Sequence, residues 1–214
     1  MKIFIILMGF VYCNSIQLSK AQGTAFLSNL SDSEIGVSAV GSDVWWGQTL
    51  QTGTNTEGYI LNSVQLKLDA PSGAAHGFNL SISQSNPNIF IGNLSGPDPT
   101  SSGMFTYIGA GIHLLPSSQY FLVVSASSLT TDGAYMWSYS SAPPNAVGGW
   151  SIMRRYRSTD GVNWLIADRS SAFQFAVYAT AVPEPSSLAL LGLGGSFLFT
   201  RLARKSRSKG LRQP

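Results

Sequence analysis

Tyr59-Ile-Leu-Asn-Ser-Val-Gln-Leu-Lys-Leu68 is the clearest structural signal in the chain. Val64 and Leu66 alternate with Gln65 and Lys67, and successive side chains of a β-strand point to opposite faces. One apolar face and one polar face predict a strand that covers a hydrophobic core with one side.

Other short stretches between residues 22 and 181 repeat this pattern. Residues 78–83 alternate, Gln119–Ser125 reads as a buried central strand, and residues 173–180 close the domain. In that last stretch the residues expected to point inward are Phe173, Phe175, Val177 and Ala179. About eleven or twelve strands separated by Gly- and Pro-rich turns predict an all-β fold, a jelly-roll-like antiparallel β-sandwich.

Three turn assignments complete this prediction. Residues 104–108 and 112–115 read as two strands joined by a turn at 109–111. The Asp-Gly pair in 131–133 is a hairpin-type signal, and residues 150–166 read as a hairpin that turns at Asp160-Gly161.

Composition and charge exclude several classes of function. Charged residues make up only 11% of the chain, and residues 22–182 hold five cations against nine acids, a formal charge of −4. Binding to duplex phosphates needs a basic face, so we expect no nucleic-acid partner. The single cysteine, Cys13, lies near the N-terminus, which excludes a disulfide framework, a zinc–thiolate site and a cysteine nucleophile in the folded part.

The N-terminus predicts a secretory signal peptide at residues 1–21. Lys2 precedes the uncharged, largely apolar residues 3–11, and Ser19-Lys20-Ala21 offers small residues for cleavage by signal peptidase before Gln22. Cleavage near Cys13, lipidation of Cys13 and a buried N-terminal strand or helix are the alternatives.

The C-terminus predicts a membrane segment. Residues 182–185, Val-Pro-Glu-Pro, are incompatible with a helix, and residues 186–200 carry no charge. A helix of these fifteen residues would be roughly 22 Å long, short for a full crossing. A basic cluster follows and orients the tail, with residues 208–214, toward the cytoplasm by the positive-inside rule. Its members are Arg201, Arg204, Lys205 and Arg207.

This combination in residues 182–207 resembles the PEP-CTERM sorting signal of Gram-negative bacteria. The resemblance implies processing by an exosortase, a membrane protease-transpeptidase, with Pro183, Glu184 and Pro185 as its recognition element. It also implies an exported protein, an intermediate anchored in the inner membrane, and a host that makes exopolysaccharide. A plain single-pass anchor behind a proline-rich stalk is the alternative.

The body of the chain is similar to the β domains called choice-of-anchor, which precede different C-terminal anchors in bacterial surface proteins. The similar stretches are residues 43–50, 58–68, 119–124 and 174–178. The resemblance implies a surface domain with an interchangeable anchor, and it implies no activity.

Aromatic residues are the main candidates for ligand binding. Trp45 and Trp46 are adjacent, so one of them must face away from the core if both lie in a strand. Tyr135, Trp137 and Tyr139 are spaced to share one face of a strand. That row is either a platform on which sugar rings stack or part of the inner face of the sandwich.

Other polar candidates are weaker. His76 and His113 lie far apart in sequence without neighbouring acids, so we assign no catalytic residue and no resident cofactor. A glycosidase pair of Asp160 and Asp168 around Trp164 is an alternative to ordinary turn and strand positions.

Two further sites have equally ordinary alternatives. The loop residues 31–34 and Asp98 suggest structural Ca²⁺ as an alternative to plain turns. Arg154, Arg155 and Arg157 form either a cationic patch that meets acidic polysaccharide or a charged edge strand.

These patterns predict a non-enzymatic cell-surface or matrix protein. The alternatives are a carbohydrate-binding module for exopolysaccharide and, third, a glycoside hydrolase.

Overall fold

A computed structural model describes residues 23–84, 89–141, 144–168 and 170–184. The described residues form fourteen β-strands and no helix, which confirms the all-β prediction. The strands are β1 (Thr24–Ser28), β2 (Gly36–Val40), β3 (Trp45–Gln51), β4 (Tyr59–Asp69), β5 (Asn79–Gln84), β6 (Phe90–Leu94), β7 (Gly103–Leu114), β8 (Gln119–Ser125), β9 (Tyr135–Ser140), β10 (Asn145–Ala146), β11 (Ser151–Ser158), β12 (Leu165–Asp168), β13 (Ala172–Phe173) and β14 (Phe175–Ala181).

The strands form two antiparallel sheets. Sheet 1 has the order β10-β1-β14-β4-β9-β13, with β7 also paired to β4 and β2 to β9. Sheet 2 has the order β12-β11-β3-β8-β5-β6. One apolar core takes side chains from both sheets, such as Leu66 of β4 and Leu122 of β8, so the sheets pack on one another.

The alternation that predicted β4 sets the inner face of sheet 1. Val64, Leu66 and Leu68 are buried in the core, while Gln65 and Lys67 are half-buried on the other face. In β14 and the adjoining β13, all four residues expected to point inward are buried: Phe173, Phe175, Val177 and Ala179. In sheet 2, Tyr120, Leu122 and Val124 of β8 occupy the core.

Two buried amide side chains connect the strands of sheet 1 where β13 gives way to β14. Asn29 accepts a hydrogen bond from the Phe175 N–H at 2.8 Å and donates one to the Phe173 carbonyl at 2.9 Å. Gln174 donates through Nε2 to the Asp32 carbonyl at 2.7 Å and to the Asn29 carbonyl at 3.3 Å. The amides of Asn29 and Gln174 thus take the place of peptide groups from a neighbouring strand.

Two of the predicted turns are wrong. Residues 104–108 and 112–114 belong to the single strand β7, because residues 109–111 form a bulge opposite β4 and do not reverse the chain. Ala110 and Gly111 adopt φ values of 46° and 78° there. Residues 131–133 do not close a hairpin, because β8 lies in sheet 2 and β9 lies in sheet 1. The predicted hairpin at 150–166 is confirmed as the pair β11–β12.

Leu122 tests whether β8 is central to the core. Its side chain is fully buried, so Leu122→Ala should lower the free energy of unfolding by about 2–5 kcal/mol in a denaturant melt. The matched control is Leu129→Ala, which truncates a leucine that is 48% exposed and should cost under about 0.5 kcal/mol. Equal losses in the two variants would contradict a central position for β8.

Candidate functional site

An open cleft of about 410 Å³ lies on the outer face of sheet 2. Its floor follows one row across three neighbouring strands, where Gly47 of β3 pairs with Val123 of β8 and Val123 with Ser81 of β5. The loop between β11 and β12 forms a wall. The lining residues are Trp45, Ser81, Ser83, Phe90, Val123, Gly161, Val162 and Trp164.

Two tryptophans of the cleft pack on glycines across from them. Trp164, on the loop, lies over Gly47 of β3, where an added Cβ would sit 3.2 Å from Cζ3 of the indole. Trp45 of β3 lies against Gly161 of the loop, where a Cβ would sit 2.6 Å from its Cζ3. Gly161 also has a φ of +72°, a conformation that favours glycine. This reciprocal packing fixes the loop against the strand.

The indole N–H group of each tryptophan donates a hydrogen bond to the backbone carbonyl three residues earlier in the chain. Trp45 Nε1 donates to the Ser42 carbonyl at 3.0 Å, and Trp164 Nε1 donates to the Gly161 carbonyl at 3.1 Å. Both rings are half-buried. Because the N–H groups are satisfied within the protein, the two rings are held in fixed positions.

Asp160 organises the loop that carries Trp164. Its carboxylate accepts hydrogen bonds from the Asn163 N–H at 2.8 Å, the Val162 N–H at 2.9 Å, Asn163 Nδ2 at 2.6 Å and the Ser158 hydroxyl at 2.9 Å. These bonds, the one from the Asn163 N–H first, hold the pKa of the Asp160 carboxyl well below its ordinary value. Asp160 is therefore an ionised turn residue at neutral pH.

The Tyr-Trp-Tyr row faces the core, which is the second of its two predicted alternatives, so it is not an exposed sugar platform. Tyr135 and Trp137 are 1% and 0% exposed, and Trp137 stacks on Phe173 with ring centroids 3.9 Å apart. Tyr139 and Trp46 are half-buried and pack against the same core. Of the five aromatic residues singled out as a ligand platform, only Trp45 lines the cleft.

The three clustered arginines do not form one surface patch. Arg155 is 7% exposed, and its guanidinium lies 4.5 Å from the ring centre of Tyr139 and 4.9 Å from that of Phe173. Arg154 is half-buried, and Arg157 is exposed. Arg155 joins the two sheets through cation–π contacts, since its own strand β11 lies in sheet 2 and β9 lies in sheet 1.

The remaining polar candidates contact the backbone. His76 Nδ1 lies 3.1 Å from the Ala74 carbonyl oxygen, and His113 Nε2 lies 3.0 Å from that of Glu57. Asp98 accepts from the N–H groups of Gly77 and Phe78. The part of the chain that the structure describes holds no cluster of three or more His, Cys, Asp or Glu residues fit for a metal. The side chain of Asp168 lies outside this part.

Sequence reasoning missed several residues of the cleft, chiefly Phe90, Val123 and Ser83. Ser81 and Ser83 are the polar positions of an alternating strand, which places them on an outer face. Phe90 is 60% exposed at the start of β6, and no periodicity marks it. Ser83, Phe90 and Val123 come together only because β5 pairs with both β6 and β8. Local sequence patterns do not predict this pairing.

Only the start of the predicted sorting segment falls within the described residues. Val182, Pro183 and Glu184 follow β14, and Pro183 and Glu184 are exposed. Within the described parts of residues 23–184, no helix is long and apolar enough to cross a bilayer. Outside the described residues lie the predicted signal peptide 1–21, Pro185, the apolar segment 186–200, Arg201, Arg204, Lys205, Arg207 and the tail 208–214.

Comparison with known families bears on this segment. Residues 181–207 match the family described as the PEP-CTERM protein-sorting motif. No curated protein matches the chain. The match supports the predicted resemblance of residues 182–207, and it implies secretion through a membrane-anchored intermediate and processing by an exosortase.

Asp160→Ala tests whether this acid supports the cleft wall. Loss of the carboxylate should raise hydrogen exchange at the Val162 and Asn163 amides at least about tenfold, because both donate to it. A lowered pKa also means that the support is present above about pH 4 and is lost as pH falls through the lowered value.

The control is Asp132→Ala, another exposed acid in a turn, which should leave exchange at Val162 and Asn163 unchanged. Unaltered exchange in the Asp160→Ala variant would contradict the role assigned to this carboxylate.

Proposed function

We propose that the chain is an exported, non-enzymatic surface or matrix protein whose jelly-roll-like, choice-of-anchor-type domain binds an uncharged stretch of the host's exopolysaccharide. The cleft on the outer face of sheet 2 is the observation that carries the glycan-binding part. Signal peptidase and an exosortase are the processing partners, and the membrane holds the intermediate.

The chemistry of the cleft suits a sugar chain. A pyranose ring has an apolar face of C–H groups and a rim of hydroxyls. Trp45, Trp164 and Phe90 offer aromatic surface to the first. Ser81 and Ser83, which are 7% and 2% exposed, line the cleft and are its candidate partners for the hydroxyls. A mostly apolar concave site with a few polar groups is typical of small-ligand binding.

The charge of the cleft favours a neutral ligand. None of its eight lining residues is Asp, Glu, Lys or Arg. A carboxylate or sulfate on the glycan would lose hydration in the cleft without gaining an opposite charge from that lining. An uncharged segment of polysaccharide meets no such penalty.

The non-enzymatic part of the proposal draws on Asp160. A general acid for glycoside hydrolysis needs a raised pKa, whereas the hydrogen bonds to Asp160 lower it. Its carboxylate is also engaged with its own loop. The glycoside-hydrolase alternative therefore loses Asp160 as its general acid, while a purely structural or adhesive role remains the competing function.

Trp164→Ala tests glycan binding. The mature protein should co-sediment with exopolysaccharide from its host, and the variant should bind at least about tenfold more weakly, equivalent to about 1.4 kcal/mol. The matched control is Tyr178→Ala, which removes a half-buried aromatic side chain from sheet 1 and should leave binding intact. Unchanged binding by Trp164→Ala would reject the cleft as the site.

Two other outcomes separate the competing functions. Absence of binding by the unchanged protein would favour the structural role. Release of reducing ends from the polysaccharide would favour the hydrolase.

Replacement of Pro183, Glu184 and Pro185 by Ala tests processing. The apolar segment is untouched, so the variant should insert in the membrane and accumulate there at full length, because an exosortase no longer recognises it. Mass spectrometry of the unchanged protein from the host surface should find molecules without residues 188–214. An exosortase-deficient host is the control and should retain the full-length form. Surface molecules that keep residues 188–204 would point to a plain anchor.

A further inference from the structure

The turn at residues 55–58 contacts the start of the sorting motif. The Val182 N–H donates to the Gly58 carbonyl at 3.0 Å and so continues the pairing of β14 with β4 by one residue. Asn55 Nδ2 donates to the Val182 carbonyl at 3.0 Å and to the Gly58 carbonyl at 2.6 Å. The chain is therefore held in place immediately before Pro183.

The same turn also reaches the acidic residue of the motif. The Thr56 hydroxyl donates to Glu184 Oε1 at 2.9 Å. Contacts at residues 182 and 184 fall on alternate positions, as in an extended strand, and Pro183 between them has no N–H to donate. Thr56 and Glu184 are both exposed, so another protein can approach this carboxylate.

The fold, and not the motif, sets the position of the turn. The Gly58 N–H donates to the Asn55 carbonyl at 2.9 Å. Gly58 has a φ of +74°, and a Cβ there would lie 2.3 Å from the Leu114 carbonyl oxygen. His113 on β7 contacts the Glu57 carbonyl at 3.0 Å. The Thr56 hydroxyl is thus presented by a turn fixed to β4 and β7.

We infer that the 55–58 turn is an intramolecular docking site for the sorting motif, and that the exosortase competes with Thr56 for the Glu184 carboxylate. The inference rests on the exosortase processing proposed above and is independent of glycan binding. An enzyme that reads the side chain of Glu184 must first replace the hydroxyl of Thr56. The docked state therefore slows processing of the folded protein.

Thr56→Val tests this competition in the full-length chain in its native host. Valine keeps the shape of threonine and removes the hydroxyl donor. In a pulse-chase experiment the full-length form should convert to the mature form about two- to fivefold faster, the lower part of the range for loss of one hydrogen bond, because both groups are exposed. Thr56→Ser retains a hydroxyl and should convert at the unchanged rate. Thr54→Val removes an exposed hydroxyl from the preceding part of the same loop and should also have no effect.

A conversion rate for Thr56→Val that equals or falls below that of the unchanged protein would overturn the inference. A slower rate would mean that the turn presents the motif to the enzyme and does not withhold it. The Pro183, Glu184 and Pro185 triple variant separates this failure from failure of the processing proposal. If that variant stays unprocessed while Thr56→Val has no effect, only the docking role is rejected.

Discussion

The buried amides of Asn29 and Gln174 are the constraint on which sheet 1 depends. Both side chains are 0% exposed, and they meet backbone groups that no regular ladder pairs at this point. An unmet buried donor or acceptor costs about 1–3 kcal/mol, so the bonds made by Asn29 Oδ1, Asn29 Nδ2 and Gln174 Nε2 stabilise the sheet. Asn29 bonds to the backbone of Phe173 and Phe175, the residues on either side of Gln174. The chain therefore changes its pairing partner at Gln174, from β9 along β13 to β4 along β14. That change of partner places Phe173 on Trp137 and completes the core.

The outer face of sheet 2 depends on tryptophans packed against glycines and not on buried amides. Its inner residues fill the core, while β3 carries a glycine on the outer face at the position where Trp164 lies. The loop that Asp160 stabilises carries that tryptophan, and Trp45 of β3 packs in turn against Gly161 of the same loop. The turn around Asp160, together with Gly47 and Gly161, thus holds two tryptophans at the surface, although large aromatic side chains are usually buried. The cleft results from this local packing and not from a gap between the sheets.

The sequence predicted the elements better than their assembly. Alternation located β4 and β14 and the direction of their side chains, because the period of a strand is a local property. A continuous apolar run located β8 without giving the direction of its side chains. The alternation rule grouped Tyr135, Trp137 and Tyr139 on one face but could not tell the core side from the solvent side. Residues 109–111 read as a turn because a bulge and a turn share glycine and left-handed backbone. Trp164 was recognisable as a sugar-binding candidate, whereas Phe90 and Val123 join it only through pairing between strands distant in sequence.

The positions of the two candidate sites allow them to act separately. The sorting motif follows β14 of sheet 1 and docks on the turn before β4, whereas the cleft lies on the outer face of sheet 2. The two sheets share a core, so neither face can rearrange greatly without unfolding the domain. The proposed glycan on Trp45 and Trp164 would therefore leave Glu184 accessible, and processing at the motif would leave the cleft intact. The proposed binding of a glycan is therefore compatible with the protein both before and after the sorting enzyme has acted.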